Sequence, residues 1–262
     1  MPAPNAVSRS LRAVAKAALA VGGILAAEIF EAAYRPELPS FADHVLDGTF
    51  GDPTAPRLRL AFVGDSTITG PGVEPIDATW PRRVAHHFAA DHHVDLVVTA
   101  VGGSKAVDVL TTQVPAALEA RPDVGVLSVG GNDALRGTPI AGFEARYGII
   151  LDRLTAVAPV VACGIGDFGT IPRLPPLARG LARVRSRAVD RAIARAAAGR
   201  SDVRKTDSWG ARWRPFATDP ELWADDLFHA SARGHALYAE ATIPLIEDLL
   251  HLGRPGGGGS SR

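Results

Sequence analysis

Ser66 stands in the run LAFVGDSTITG, residues 60–70, where four apolar positions give way to Gly64-Asp65-Ser66. A hydroxyl at such a point is a turn residue, a helix cap or a nucleophile held at the mouth of a sheet. Three other stretches carry complementary groups. AVGGSKAVDVL sets Gly102 and Gly103 where the backbone can approach a ligand closely and leave amides free near a helix start. LSVGGNDALRG puts Asn132 and Asp133 behind two glycines, and WADDLFHASARGH puts Asp226 three residues before His229. A serine hydroxyl attacks poorly unless an imidazole takes its proton, and a carboxylate on the other ring nitrogen fixes the tautomer. His229 and Asp226 suit those two tasks; Asp225 is the rival carboxylate, and the i,i+3 spacing favours Asp226. Taken singly, each residue has an ordinary structural use, Ser66 as a cap, Asn132 in a turn, Gly103 in a tight loop.

What would bring them together is a parallel sheet. Short β-rich runs at 58–63, 95–101, 124–129, 160–165 and, more weakly, 202–206 alternate with helical patterns at 80–91, 106–121, 143–157, 177–198 and 234–252. Near-continuous apolar strands separated by helices of this length predict a sheet covered on both faces, a three-layer α/β/α sandwich of about five parallel strands. In such sheets, sites form beyond the carboxyl ends of the strands, where Ser66, Gly103 and Asn132 all fall.

In this order, GDS after the first strand, a glycine after the second, GGND after the third and DLFH near the C-terminus resemble the SGNH hydrolase superfamily, the GDSL esterases and lipases, over about residues 58–250. The resemblance implies a flavodoxin-like sheet, Ser66 as nucleophile, and Asp226 and His229 as the rest of a triad. It implies an oxyanion hole from the Ser66 and Gly103 amides and the Asn132 side chain. It further implies hydrolysis of small-molecule or lipid esters through an acyl-enzyme, with neither metal nor organic cofactor. Two positions depart from the family pattern: Thr67 follows the nucleophile in place of leucine, and Ala230 follows His229 where proline is frequent. Gly102 competes with Gly103, and the SKAVDVL register favours Gly103. The absence of Gly-x-Ser-x-Gly separates this chain from α/β-hydrolases with a nucleophile elbow. The same residues would serve an O-acyltransferase, and a binding module could keep the fold without turnover.

At 262 residues and 47% hydrophobic composition the chain can bury one sizeable core. Lys+Arg and Asp+Glu both count 28, so no net field points to nucleic acid. The single cysteine excludes an internal disulfide framework. Arg9, Arg12 and Lys16 precede an apolar stretch at 17–27, the order of a signal peptide or of an amphipathic helix on a membrane surface, too short to span a bilayer. Export or membrane association is the favoured location, with the cytoplasm as alternative. The domain is placed at 58–252, after an N-terminal segment and linker at 1–57 and before a flexible Gly/Ser tail at 253–262. His86, His87, His92 and His93 read as a surface cluster without acidic or thiolate ligands rather than a metal site. Arg179, Arg183, Arg187, Arg191 and Arg195 form a ridge along one helix, a solvated face that could also meet anionic headgroups. Trp213, Phe216, Leu222 and Trp223 are candidates for an apolar pocket beside the Asp-His segment.

Overall fold

In β2 (Arg57–Gly64), alternate side chains serve two different layers. Leu58, Leu60 and Phe62 pack with Trp80, Val84, Ile246 and Leu249, whereas Ala61 and Val63 pack with Phe143, Tyr147, Val189 and Ile193. Both faces are buried, which is why the strand reads as an unbroken apolar run rather than an alternating one. The computed structural model in which this is seen describes residues 37–252 together with 14–16, 19–20, 22–24 and 26–28. The tail at 253–262, Arg9, Arg12 and parts of the apolar stretch at 17–27 lie outside the described residues.

The remaining strands are β1 (Gly48–Phe50), β3 (His93–Val98), β4 (Val124–Ser128), β5 (Val160–Ala162) and β6 (Val203–Lys205). They make one sheet in the order β1-β3-β2-β4-β5-β6, parallel except for β1, which runs antiparallel along β3. The three-layer sandwich is as the sequence predicts, with a sixth strand drawn from residues assigned to the linker. A three-residue strand of Gly-Thr-Phe carries no periodicity that could announce it.

Within residues 37–252 the α-helices in chain order are α1 (Ser66–Thr69), α2 (Trp80–Phe88), α3 (Ala106–Asp108), α4 (Val114–Glu119), α5 (Gly131–Leu135), α6 (Ile140–Thr155), α7 (Pro176–Ala197) and α8 (Ala232–Leu252). The α2 and α8 helices cover one face of the sheet, and α6 and α7 cover the other. Between α3 and α4 lies a π-helical turn, Val109–Gln113, where the sequence predicts an unbroken helix. At its end Gln113 is buried: its Oε1 accepts from the Gly64 amide at 2.9 Å and its Nε2 donates to Ser104 Oγ at 3.0 Å. The wider turn aims this one side chain between two strand ends, a local use of π geometry that periodicity does not encode.

β5 stops three residues short of its expected end. Gly164 is wedged against Asp190, Ser208 and Lys205, and a Cβ there would lie 2.3 Å from Asp190 Oδ1. Behind it Lys205 Nζ donates to Asp190 Oδ1 at 2.8 Å. Along α7 the arginine ridge is largely engaged within the molecule. Arg179 donates to the Leu174 and Pro172 carbonyls, Arg183 pairs with Asp167, Arg187 lies over the Trp209 ring at 4.4 Å, and Arg195 pairs with Glu144. At the start of α7 the Glu28 carboxylate accepts from the Ala178 amide at 2.9 Å, a favourable charge for a helix N-terminus. No helix among the described residues is long and apolar enough to cross a membrane.

Gly64, the last residue of β2, has φ 155°, and a Cβ on it would fall 1.8 Å from the Ser128 carbonyl oxygen. Gly64→Ala must therefore push β2 from β4 where both strands end. Urea denaturation should show a loss of at least about 2 kcal/mol. A stability equal to that of the parent would mean that the two strand ends tolerate separation.

Candidate active site

Because β3 and β4 flank β2 on opposite sides, the connections leaving β2 and β4 diverge and open a crevice at the carboxyl edge of the sheet. Ser66 enters it as the first residue of α1. Asp65, just before it, caps the helix by accepting from the Thr67 amide at 3.0 Å, and its own amide donates to the Ser128 carbonyl at 3.1 Å. The helix closes after four residues at Gly70, left-handed with φ 61°. Ser66 is thus fixed on a short turn and half-buried, its backbone N–H donating to no group among the described residues.

Asn132 lies in α5, after β4. Its Nδ2 donates to the Ser104 carbonyl at 3.1 Å, which fixes the carboxamide and leaves its second amide hydrogen for another acceptor. Asp133 beside it is buried and accepts from the Ala106 amide at 2.9 Å. The two glycines that compete after β3 are separated by what they touch. The Gly102 N–H donates to Asp43 Oδ2 at 2.7 Å, whereas Gly103, left-handed with φ 77°, directs its N–H to no group among the described residues. Asp43 also accepts from Thr69 Oγ1 at 2.6 Å, so one carboxylate ties the end of α1 to the glycine turn.

Asp226 and His229 lie on a loop in which Ala224 N–H bonds the His229 carbonyl at 2.8 Å and Leu227 takes a positive φ of 57°. His229 Nδ1 is 2.6 Å from Asp226 Oδ2, while Asp226 Oδ1 accepts from the amides of Phe228 (2.9 Å) and His229 (3.0 Å). Burial raises the carboxyl, but the bonds from the His229 ring and the two amides outweigh it and hold Asp226 below the usual carboxylate value. A carboxylate only accepts, so Nδ1 carries the hydrogen and Nε2 keeps its lone pair. Asp225 is exposed and stands outside this set.

Ser66, Asn132, His229, Asp65 and Thr67 line a single cavity of about 340 Å³. Gly103 is not on its wall; it sits on the adjoining turn whose Ser104 carbonyl Asn132 holds. Trp213, Phe216 and Trp223 line the cavity as the sequence suggests, but Leu222 turns into a small core with Phe216 and Ala230 and is 3% exposed. The four histidines of HHFAADHH are scattered in their contacts. His87 meets Glu247 at 3.0 Å and His86 meets Asp77 at 3.6 Å, and no group of three or more potential ligands forms among the described residues.

A second imidazole that spacing did not single out lines the same cavity. His235 is 1% exposed and its Nδ1 accepts from the Trp80 amide at 2.9 Å. Burial pushes its pKa down to about 3, so it is neutral, with the opposite tautomer to His229. Asp43 and Gln113 also escaped the sequence reading, because one sits in an apparent linker and the other mid-way along a helical pattern, neither beside a motif.

The fold is that of an SGNH-type ester hydrolase. Residues 62–237 match the GDSL-like lipase/acylhydrolase family, and the chain belongs to it. No curated protein matches the chain. Among solved structures it is similar to TesA, with 22% identity, a TM-score of 0.61 and coverage of 73% of this chain and 99% of that one. It is similar to the psychrotrophic esterase EstA from Pseudoalteromonas sp., with 16% identity, a TM-score of 0.57 and coverage of 74% and 98%. A third is an acetylxylan esterase from Geobacillus stearothermophilus, with 16% identity, a TM-score of 0.60 and coverage of 74% and 96%. At these identities the likeness is one of fold.

Asp65 gives the site a pH signature. Burial raises its carboxyl from 3.8 to about 6. A raised folded-state value means that its contribution to stability is complete below pH 3.8 and is lost as pH rises through about 6. Asp65→Asn should remove that decline, so the stabilities of parent and variant should diverge between these pH values by on the order of 2–3 kcal/mol. Parallel curves of stability against pH would show that Asp65 is not buried as a neutral acid.

Proposed function

We propose that this ester hydrolase works through Ser66 as nucleophile, with His229 as general base and Asp226 as its orienter. The observation that carries this reading is the 2.6 Å contact between the buried Asp226 and the half-buried His229, whose ring lies on the wall of the same cavity as the half-buried Ser66. Ser66 Oγ attacks the ester carbonyl carbon, and its proton passes to His229 Nε2, whose lone pair the Asp226 contact leaves available. Asp226 stabilises the imidazolium without taking a proton. The carbonyl oxygen, now negative, is met by the N–H groups of Ser66 and Gly103 and by the free amide hydrogen of Asn132. Collapse breaks the bond to the leaving alcohol, which departs with the proton from His229. Water, deprotonated by the same imidazole, then attacks the acyl-enzyme and releases the acid, restoring the Ser66 hydroxyl.

The supporting details are those a preorganised site needs. Asn132 is held by Ser104, Ser104 by Gln113, and Gln113 by the Gly64 amide, so the donors are fixed before any substrate arrives. Asp43 occupies the Gly102 amide and leaves Gly103 as the main-chain donor on its turn.

A fluorophosphonate should label the parent chain on Ser66 and leave Ser66→Ala unmodified; absence of an adduct on folded protein would remove the nucleophile assignment. Asn132→Ala separates an oxyanion donor from a turn residue. The proposed role requires kcat to fall by roughly 10² to 10³, equivalent to about 3–4 kcal/mol, with KM little changed. A lowered melting temperature with kcat intact would return Asn132 to an architectural role.

A further inference from the structure

The chain has four tryptophans, Trp80, Trp209, Trp213 and Trp223, and every one lines the cavity that holds Ser66 and His229. Each indole N–H is engaged inside the protein. Trp80 Nε1 donates to Thr242 Oγ1 (2.8 Å), Trp209 to the Ile165 carbonyl (2.8 Å), Trp223 to the Phe216 carbonyl (3.1 Å) and Trp213 to the Asp207 carbonyl. What the rings present to the cavity is therefore hydrocarbon face, without a donor.

Several polar atoms deeper in the wall are likewise paired within the protein. Thr206 Oγ1 accepts from the Gly164 amide at 2.9 Å and meets Ser208 Oγ at 3.1 Å, Thr242 Oγ1 donates to the Tyr238 carbonyl at 2.9 Å, and His235 Nδ1 accepts from Trp80. The Cys163 thiol, also on the wall, is driven by burial well above its ordinary range and stays neutral. The arginines of the lining, Arg183 and Arg214, are exposed, and Arg183 is paired with Asp167. Asp65 is the buried carboxylate of the lining, beside the nucleophile. A hydroxyl-rich group entering such a space would find few partners for its donors and acceptors, whereas a hydrocarbon chain needs none. The space is not superficial: it reaches Trp80, His235 and Thr242, which are 2%, 1% and 1% exposed.

We propose that this aromatic cavity is the acyl subsite, taking an aliphatic acyl chain well beyond acetyl, with the leaving alcohol at the exposed mouth. The proposal rests on Ser66 as the attacking residue. It assigns the tryptophans to substrate recognition and makes Ala241, on α8 in the cavity wall, a determinant of chain length.

Two measurements test it, one of them independent of turnover. Because all four tryptophans line the cavity, the methyl ester of a brominated decanoic acid added to Ser66→Ala should quench most of the tryptophan emission, and brominated acetate should not. Emission unchanged by the long ester would overturn the proposal. On the parent enzyme, kcat/KM for nitrophenyl esters should rise by about tenfold or more from acetate to octanoate, since each buried methylene contributes. Ala241→Phe should lower the octanoate-to-acetate ratio by about tenfold or more. An enzyme that turns over acetate and rejects octanoate, or that responds to the length of the alcohol and not of the acid, would overturn the acyl assignment while leaving the Ser66 mechanism standing. Absence of turnover for every ester, with fluorophosphonate labelling also absent, would instead strike at the nucleophile.

Discussion

The close approach of Gly64 to the Ser128 carbonyl is the constraint on which the rest depends. At that point β2 and β4 end side by side, and the residues that follow must turn away from the sheet. One turn delivers Ser66 and the other Asn132, because the strand order reverses about β2 and the two connections leave on opposite sides. Their backbones are already bound to each other through Asp65 N–H and the Ser128 carbonyl. The distance between a hydroxyl and a carboxamide is therefore set by a hydrogen-bonded ladder rather than by flexible loops. Gln113 reinforces the same junction from the third strand's connection by accepting the Gly64 amide.

Within this frame the ionisable groups are sorted by surroundings. Asp65 and Asp226 are both buried carboxyls near one cavity, yet the first is pushed up to about 6 and the second is held below its ordinary value. The difference lies in partners: Asp226 receives three N–H groups, whereas the bonds to Asp65 from Thr67 do not offset its desolvation. His229 and His235 divide in the same manner. One ring donates from Nδ1 to a carboxylate; the other accepts a backbone amide at Nδ1 and is too deeply buried to charge. The two carboxyls are thus displaced in opposite directions, and the two imidazoles use Nδ1 in opposite senses, one as donor and one as acceptor.

Much of this was legible in the sequence, for identifiable reasons. Long apolar runs betray strands buried on both faces, so the sandwich could be read beforehand, while Ser66, Gly103, Asn132, Asp226 and His229 were singled out by the order of their motifs and its family resemblance; of these, Ser66, Asn132 and His229 line one cavity. The carboxylate rivalry was also decidable, because an i,i+3 spacing lets a buried aspartate meet both the ring and the amide of a histidine. Other features had no such signature. Asp43 acts across a separation in sequence that only the folded sheet closes, and Gln113 owes its position to a π turn inside an ordinary helical pattern. The common fate of the tryptophans was half visible: Trp213 and Trp223 lie close together in sequence near the Asp-His segment, whereas Trp80 arrives from a distant helix.

The strand β1 has a consequence beyond the site. It lies outside the family-matched residues 62–237, yet it pairs with β3 along Gly48↔Leu96, Thr49↔Asp95 and Phe50↔Val94. Without it β3 would become the border of the sheet, with unpaired N–H and C=O groups beside Val94 and Leu96. Such a border invites pairing with another chain. Asp47 extends the cover by accepting the Val98 amide at 2.9 Å, and charge on this segment makes it a poor template for further strands. The border of the sheet is thus a strand of three residues in place of the six of β3, and a chain lacking residues 48–50 would leave the longer edge open.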